Sequence, residues 1–419
     1  MDLLIKKPKI AKTIIRKDTA NKVLLIDPEK PSWVTVSKSI ADILCKLDGN
    51  KTVEEIVKEG NNNKKEDISN KLIMLFEKLY KLDIFMDDIN CNDIQSDILS
   101  QVYFNLTKKC NLKCVYCYTR ADMNSNLIEK PLSFWLDNAL QLKQINPQAS
   151  ICFTGGEALL FDKFWELAEN IKNNNISLSL ITNGTVAQVD DVHRFKALFN
   201  KIKISLDSLN EDVNSATRGI GSLKKTKKFI DALISIGVKP TIMVVVTKKN
   251  LKELSDFKRV YGNKVFMVYQ PMYVMGRGID NDILGLTASE YYDAIEMTKI
   301  DKMKEDKMKR NFKLMWCGMG RNVLSIESNG DVYPCHLLHH EKFLLGNLNS
   351  EKIGNIWLKS PYRKYSVDNI EECCACEIKY FCGAPCRARA FYVNGSILAK
   401  DPMCPDFIKR SHIENMFKS

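Results

Sequence analysis

The stretch Lys109-Cys110-Asn111-Leu112-Lys113-Cys114-Val115-Tyr116-Cys117-Tyr118-Thr119-Arg120-Ala121 decides how the rest of the chain is read. Its three cysteines stand as C-x3-C-x2-C, with the aromatic Tyr116 directly before the third. A 4Fe–4S cluster normally takes four thiolates from cysteine. Three thiolates from one short loop leave one iron open, and an open iron can bind a small molecule through two groups at once. A zinc loop is the competing reading, but zinc sites favour paired C-x2-C motifs closed by a fourth Cys or His.

Outward from this loop, strand and helix alternate. Strands are expected at Val102–Leu106, Ala149–Thr154, Ile176–Thr182, Lys201–Leu206, Thr241–Thr247 and Val265–Gln270. Helical patterns fill the gaps, among them Ser133–Ile145, Lys163–Asn173 and Ser222–Ile236. Repeated strand–helix units with apolar strands imply an α/β fold with a parallel sheet. When such a sheet curls into a barrel, the chemistry sits where strands end. The cysteine loop follows the first strand, Thr154-Gly155-Gly156-Glu157 ends the second, Thr182-Asn183-Gly184 the third and Ser205-Leu206-Asp207-Ser208 the fourth.

The cysteine loop resembles the signature of the radical S-adenosylmethionine (SAM) enzymes, in which the open iron is chelated by the amino and carboxylate groups of SAM. One electron from the reduced cluster then cleaves SAM to methionine and a 5′-deoxyadenosyl radical. The resemblance implies a partial (β/α)6 radical SAM barrel over residues 96–310. It makes Cys110, Cys114 and Cys117 the cluster ligands and the catalytic centre, with Tyr116 beside the cofactor. Gly155, Gly156 and Glu157 match the family's GGE motif at the SAM amino group, Glu157 as the acceptor. Asn183 stands near SAM, Ser205 at its carboxylate or ribose, and Arg218 as a clamp on its carboxylate. Val244 to Val246 fit either an adenine contact or a buried strand. Cys152 reads as core, and His193 has no identifiable partner.

The last quarter holds a second group of cysteines. Cys317 is followed after twelve residues by Gly330 and after four more by Cys335; then come Cys373-x2-Cys376-x5-Cys382-x3-Cys386 and Cys404. This spacing resembles the SPASM domain, here residues 311–419, rather than a zinc ribbon. The resemblance implies two auxiliary 4Fe–4S clusters, three clusters in all. Cys373, Cys376, Cys382 and Cys404 would hold one; Cys317, Cys335 and Cys386 would hold the other. Some relatives supply a further cysteine soon after the first, but Gly318-Met319-Gly320-Arg321-Asn322-Val323-Leu324 has no thiol. That cluster therefore keeps an open iron unless Cys374 or one of His336, His339 and His340 fills it.

Residues 1–95 read as short strands around Ile14–Ile15, Lys22–Ile26 and Trp33–Val36, followed by three helices. Thr52 and Glu55 are spaced as a capping box. Cys45 is expected in the core, and Cys91 is expected to be idle in a linker. The order of elements resembles the PqqD-like recognition domain, a winged-helix-like α+β module that takes a leader peptide as an added strand. The helices lack a dense basic recognition face, so no nucleic-acid partner is expected.

The chain has 419 residues, 45% hydrophobic content and a formal charge of +11 spread over lysine-rich helices, which suits a solvated surface or an acidic peptide partner. No secretory signal and no membrane span are expected. Fourteen cysteines without an export signal point to metal binding in a reducing cytoplasm.

The order of recognition domain, barrel and SPASM domain resembles maturases of ribosomally made peptides, such as the subtilosin-type sactisynthases. It implies a SAM-dependent enzyme that abstracts hydrogen from a precursor peptide and forms a thioether from Cys to carbon. Its electrons would come from a donor such as flavodoxin or ferredoxin. The alternatives are C–C crosslinking, epimerisation or decarboxylation of a peptide, and sulfatase maturation.

Overall fold

Alternation along the central strands sorts their side chains onto two faces. Phe104, Phe153, Leu180, Ile204 and Val244 turn one way and are fully buried under helices that carry Trp135, Leu167, Phe195, Phe229 and Phe257. Burying each such side chain contributes about 1.5–3 kcal/mol. The opposite face holds mostly polar residues and lines a lumen. The resulting partial barrel was read from a computed structural model. It describes residues 3–10, 14–27, 32–61, 67–81, 98–125, 129–298, 315, 317–404, 413, 414 and 416. The joints expected near residues 95 and 310, and Cys91, lie outside the described residues.

The N-terminal unit has strands β1 (Ile15–Asp18), β2 (Val23–Asp27) and β3 (Ser32–Val36), paired antiparallel in the order β1-β2-β3. Helices Lys38–Leu44, Val53–Asn61 and Asp67–Lys81 follow. The expected capping box forms: Thr52 N donates to Glu55 Oε2 at 2.7 Å and Glu55 N donates to Thr52 Oγ1 at 3.2 Å. Val23 and Leu25 pack on the helices, whereas Leu24 and Ile26 pack on Ile378 and Phe381 from the far end of the chain. Both faces of β2 are thus covered, which is why it reads as an unbroken apolar run. Cys45 departs from expectation. The first helix stops at Leu44, and Cys45 becomes its exposed C-cap.

The six expected central strands form with shifts of one residue at most at either end: β4 (Gln101–Thr107), β5 (Ser150–Gly155), β6 (Ser177–Thr182), β7 (Lys201–Ser205), β8 (Thr241–Val246) and β9 (Phe266–Pro271). All pair in parallel with their sequence neighbours. The C-terminal segment then adds β10 (Val323–Ile326), β11 (Asp331–Tyr333) and β12 (Gly346–Asn347) to the same sheet, in the order β12-β11-β10-β4-β5-β6-β7-β8-β9. Strand β10 runs parallel to β4, and Asn105 Nδ2 crosses to Ser325 Oγ and the Ile326 carbonyl, both at 2.9 Å. The cysteine-rich end is therefore built onto the first strand of the barrel, next to the cysteine loop. Among the described residues, no helix is long and apolar enough to cross a membrane.

Candidate active site

The cysteine loop leaves the C-terminal end of β4 and is pinned by the turn after β5. Gly156 N donates to the Thr107 carbonyl at 2.7 Å, and Glu157 N donates to the Lys109 carbonyl at 2.8 Å. The backbones approach so closely that a Cβ on Gly155 would stand 2.3 Å from the Thr107 oxygen, and one on Gly156 2.3 Å from the Lys109 oxygen. Both glycines thus also serve contact between two stretches of main chain. We expect Gly156→Ala to displace the cysteine loop and lower iron bound per chain after reconstitution. Iron content equal to the parent protein would refute this account of the glycine.

Glu157 is turned into the protein. Its Oε1 accepts from Thr182 Oγ1 at 2.7 Å and Leu159 N at 3.2 Å, and its Oε2 from Asn183 N at 2.7 Å. Burial raises its pKa, opposed by these hydrogen bonds. These contacts give Glu157 a positioning role at the ends of β5 and β6. What Glu157 positions is Asn183, whose Nδ2 donates to Asn111 Oδ1 at 3.0 Å and lies 3.9 Å from Cys110 Sγ.

On the other side of the loop, Tyr116 is buried and its hydroxyl donates to Asp207 in a short bond. Arg218 Nη1 donates to the Tyr116 oxygen at 3.0 Å and stands 3.6 Å from Asp207 Oδ1. Asp207 also accepts from Thr217 Oγ1 at 3.1 Å and from Val245 N at 3.1 Å. Sequence reading missed Asp207 as the hub, although it stands two residues past Ser205. It also missed the loop after β9. There Gly276 lies where a Cβ would be 2.4 Å from the Cys117 oxygen, and Arg277 Nε donates to the Cys114 carbonyl at 2.8 Å. No local signal marks these residues, because their partners lie about 160 positions away in sequence.

Cys110, Cys114 and Cys117 open onto one cavity, whose wall includes Tyr116, Gly155, Gly156, Asn183, Ser205 and Arg218. Of the expected cofactor residues, Glu157 is the one not on that wall. Of Val244 to Val246, only Val245 reaches it; its neighbours are buried under the helices. The residues present fit an anionic, sulfur-ligated group. Three thiols from one loop line the cavity, and Arg277, also on the wall, has a buried Nη2 without a partner. Burial pushes the Cys110 thiol up to about 12, so it is protonated at neutral pH unless a metal draws off the proton.

The same cavity extends to residues beside the C-terminal cysteines. Its wall includes Tyr118, Tyr273, His336 and Leu337. His336 Nδ1 lies 3.7 Å from Cys335 Sγ, and the Tyr273 hydroxyl lies 3.8 Å from Cys386 Sγ. Cys317, Cys335 and Cys386 belong to one apolar cluster with Met275, Leu338 and Phe343. Cys373, Cys376, Cys382 and Cys404 form a second group, close enough to act on one another electrostatically. Cys374 points away from both, its thiol donating to the Asp368 and Ile370 carbonyls at 3.5 Å each. Among the described residues, no three His, Cys, Asp or Glu side chains converge on a single metal-ion position.

His339 faces away from the cavity into a salt bridge. Its Nδ1 is 3.0 Å from Glu327 Oε2 and its Nε2 2.8 Å from Ser325 Oγ, while Lys108 Nζ is 3.3 Å from the same carboxylate. Burial alone would raise the Glu327 pKa; His339 and Lys108 outweigh it and hold it at about 2. A carboxylate depressed in the folded state contributes stability above its unfolded pKa, near 4.5, and loses it as pH falls toward 2. We expect Glu327→Gln to cost on the order of 2–3 kcal/mol at pH 7 and much less at pH 3, read from urea midpoints. An equal loss at both pH values would contradict the ion pair as its source.

Residues 104–260 match the radical SAM superfamily, and residues 317–377 match the SPASM iron–sulfur cluster-binding domain. The mycofactocin maturase MftC of Mycolicibacterium smegmatis is 28% identical over 327 residues, covering 72% of this chain and 81% of that one. An AdoMet-dependent heme synthase of Nitratidesulfovibrio vulgaris is 25% identical over 343 residues, covering 72% and 91%. The antilisterial bacteriocin subtilosin biosynthesis protein AlbA of Bacillus subtilis is 28% identical over 308 residues, covering 67% and 65%. Among solved structures, Streptococcus suis SuiB bound to SAM superposes with a TM-score of 0.59 at 16% identity, over 94% of this chain and 99% of that one. The chain is thus an enzyme built from a radical SAM barrel and a SPASM iron–sulfur domain, with a maturase and a bacteriocin biosynthesis protein among its relatives.

Proposed function

We propose that this enzyme is a maturase that takes hydrogen from a precursor peptide and closes a thioether between a cysteine sulfur and a carbon of the same peptide. One observation supports this most: the cavity at Cys110, Cys114 and Cys117 is continuous with the wall beside Cys335 and Cys386. A substrate residue held there stands between a radical source and a three-cysteine group with room for one more thiol.

In this reading Cys110, Cys114 and Cys117 hold the SAM-binding cluster. Cys317, Cys335 and Cys386 hold an auxiliary cluster with an open iron, and Cys373, Cys376, Cys382 and Cys404 hold a second, fully ligated one. Bound SAM and the clusters supply a hydrogen-abstracting radical, an electron acceptor and a Lewis-acid site for a thiol. Asn183, Ser205 and Arg218 hold SAM, and Arg218 keeps its orientation through Tyr116 and Asp207. Met243 and Val245 give the lumen side of the cavity an apolar surface that excludes water. His336 is kept neutral, chiefly by burial that holds its pKa near 3, so it adds no charge beside Cys335. The N-terminal unit takes the leader as an added strand, and flavodoxin or ferredoxin supplies electrons.

AlbA, which serves bacteriocin biosynthesis, and MftC, a maturase, support a peptide product, while the heme synthase is a relative of similar likeness with another kind of product. The test is anaerobic incubation of the reconstituted enzyme with SAM, reductant and, in turn, each short cysteine-containing peptide translated from the reading frames that flank its gene. Loss of two hydrogens per crosslink, with thiols lost to alkylation, is the expected result. Loss of two hydrogens with every thiol still alkylatable would replace the thioether by a C–C bond. Deuterium uptake from solvent without mass loss would replace it by epimerisation.

A further inference from the structure

Below the cavity, the lumen holds a cation that the reading above leaves unused. In parallel strands, residues in register present their side chains on one face. Ile181 of β6, Lys203 of β7 and Thr241 of β8 are in register, as are Ser205 and Met243 one layer higher. Ile181, Ser205 and Met243 line the cavity, so Lys203 points into the same lumen, one layer below Ser205. It is half-buried, and its charge acts on Cys152 across the lumen and on His336 in the cavity wall.

Other residues on this face include Tyr103 and Asn105 of β4, Cys152 and Thr154 of β5, Ser179 of β6 and Val268 of β9, and none of the residues that β4 to β9 place on it is a carboxylate. Among the described residues, none forms an ion pair or a side-chain hydrogen bond with Lys203. Lys201, on the same face at the start of β7, is exposed and solvated. A half-buried ammonium on a lumen face where β4 to β9 carry no carboxylate gains most from an anion that enters with the substrate.

We propose that Lys203 recognises a carboxylate of the substrate, held in the lumen so that the reacting residue lies in the cavity above. This rests on the peptide reading. One layer of strand is a rise of roughly 7 Å, about two residues of extended peptide. The carboxylate is therefore an Asp or Glu side chain, or the chain terminus, within about two residues of the reacting carbon.

The test uses the full-length holoenzyme with SAM and four forms of each short cysteine-containing peptide translated from the reading frames that flank its gene. These are the native peptide, one with its core Asp and Glu changed to Asn and Gln, a C-terminal amide, and the doubly neutralised form. Initial rates at low peptide give kcat/KM by mass spectrometry, and peptide binding is followed by anisotropy. Iron content and circular dichroism check that the variants fold.

With the native peptide, Lys203→Met is expected to lower kcat/KM roughly ten- to hundredfold, and Lys203→Arg to retain most of it. Neutralising the right carboxylate should cost the wild type as much and cost Lys203→Met nothing further; the form that shows this identifies side chain or terminus. If all four forms react equally well with the wild type and Lys203→Met, the carboxylate site is refuted and the peptide reading stands. If no form binds or changes mass with the wild type, the peptide reading fails and takes this inference with it.

Discussion

Replacing Cys114 by Ala is expected to leave the folded protein about four irons short per chain and to reduce SAM cleavage to background. The loop that carries Cys114 is held independently of its thiol. Arg277 Nε grips the Cys114 carbonyl at 2.8 Å, Val115 N donates to the Thr217 carbonyl at 3.0 Å, and Asn281 Nδ2 donates to the Val115 carbonyl at 2.9 Å. Losing one sulfur should therefore empty the site without unfolding the barrel. The readouts are iron analysis and chromatographic detection of 5′-deoxyadenosine. Full cleavage by Cys114→Ala would remove the basis for assigning the loop as the SAM site. The same result is expected for Cys110→Ala, whose thiol lies beside Asn183.

Replacing Cys335 by Ala should separate the two halves of the reaction. SAM cleavage should persist, because the cysteine loop and its Arg218–Tyr116–Asp207 support do not involve Cys335. Peptide crosslinking should fall by at least two orders of magnitude, because in the proposed reading the group that accepts the substrate thiol loses one of its three protein ligands. 5′-Deoxyadenosine formed without a change in peptide mass is the expected signature. Crosslinking at the parent rate would show that the group near His336 and Tyr273 plays no part in bond formation. Cys374→Ala, by contrast, should leave both activities near the parent level, since that thiol is turned toward the Asp368 and Ile370 carbonyls.

What the sequence revealed follows the range of the interactions involved. Alternating apolar runs located all six barrel strands, because strand and helix periods are local properties of the chain. The SPASM resemblance, carried by the cysteine spacing, implied the sets Cys317, Cys335, Cys386 and Cys373, Cys376, Cys382, Cys404; the first three pack in one apolar cluster, and the other four lie within electrostatic reach of one another. The joining of β10 to β4 was not legible, because a four-residue strand carries no mark of its partner 222 positions earlier. Asp207 and Arg277 were missed for a related reason, as their worth lies in partners that only the closed barrel supplies. The Glu157 motif fixes where the residue stands, while its hydrogen bonds to Thr182 and Asn183 come from a strand it meets only in the folded sheet. Cys45 was misplaced by one residue of helix length, enough to move a thiol from core to surface.

The central claim is that the radical formed at the cysteine loop takes hydrogen from a peptide. The most direct measurement is isotope transfer. Each short cysteine-containing peptide translated from the reading frames that flank the gene would be made with deuterium on its side-chain and α-carbons and incubated anaerobically with the holoenzyme, SAM and reductant in ordinary water. The 5′-deoxyadenosine would then be analysed by mass. Deuterium appearing in 5′-deoxyadenosine in step with crosslinked peptide is the expected result. 5′-Deoxyadenosine formed at the same rate without deuterium, beside unaltered peptide, would contradict the account.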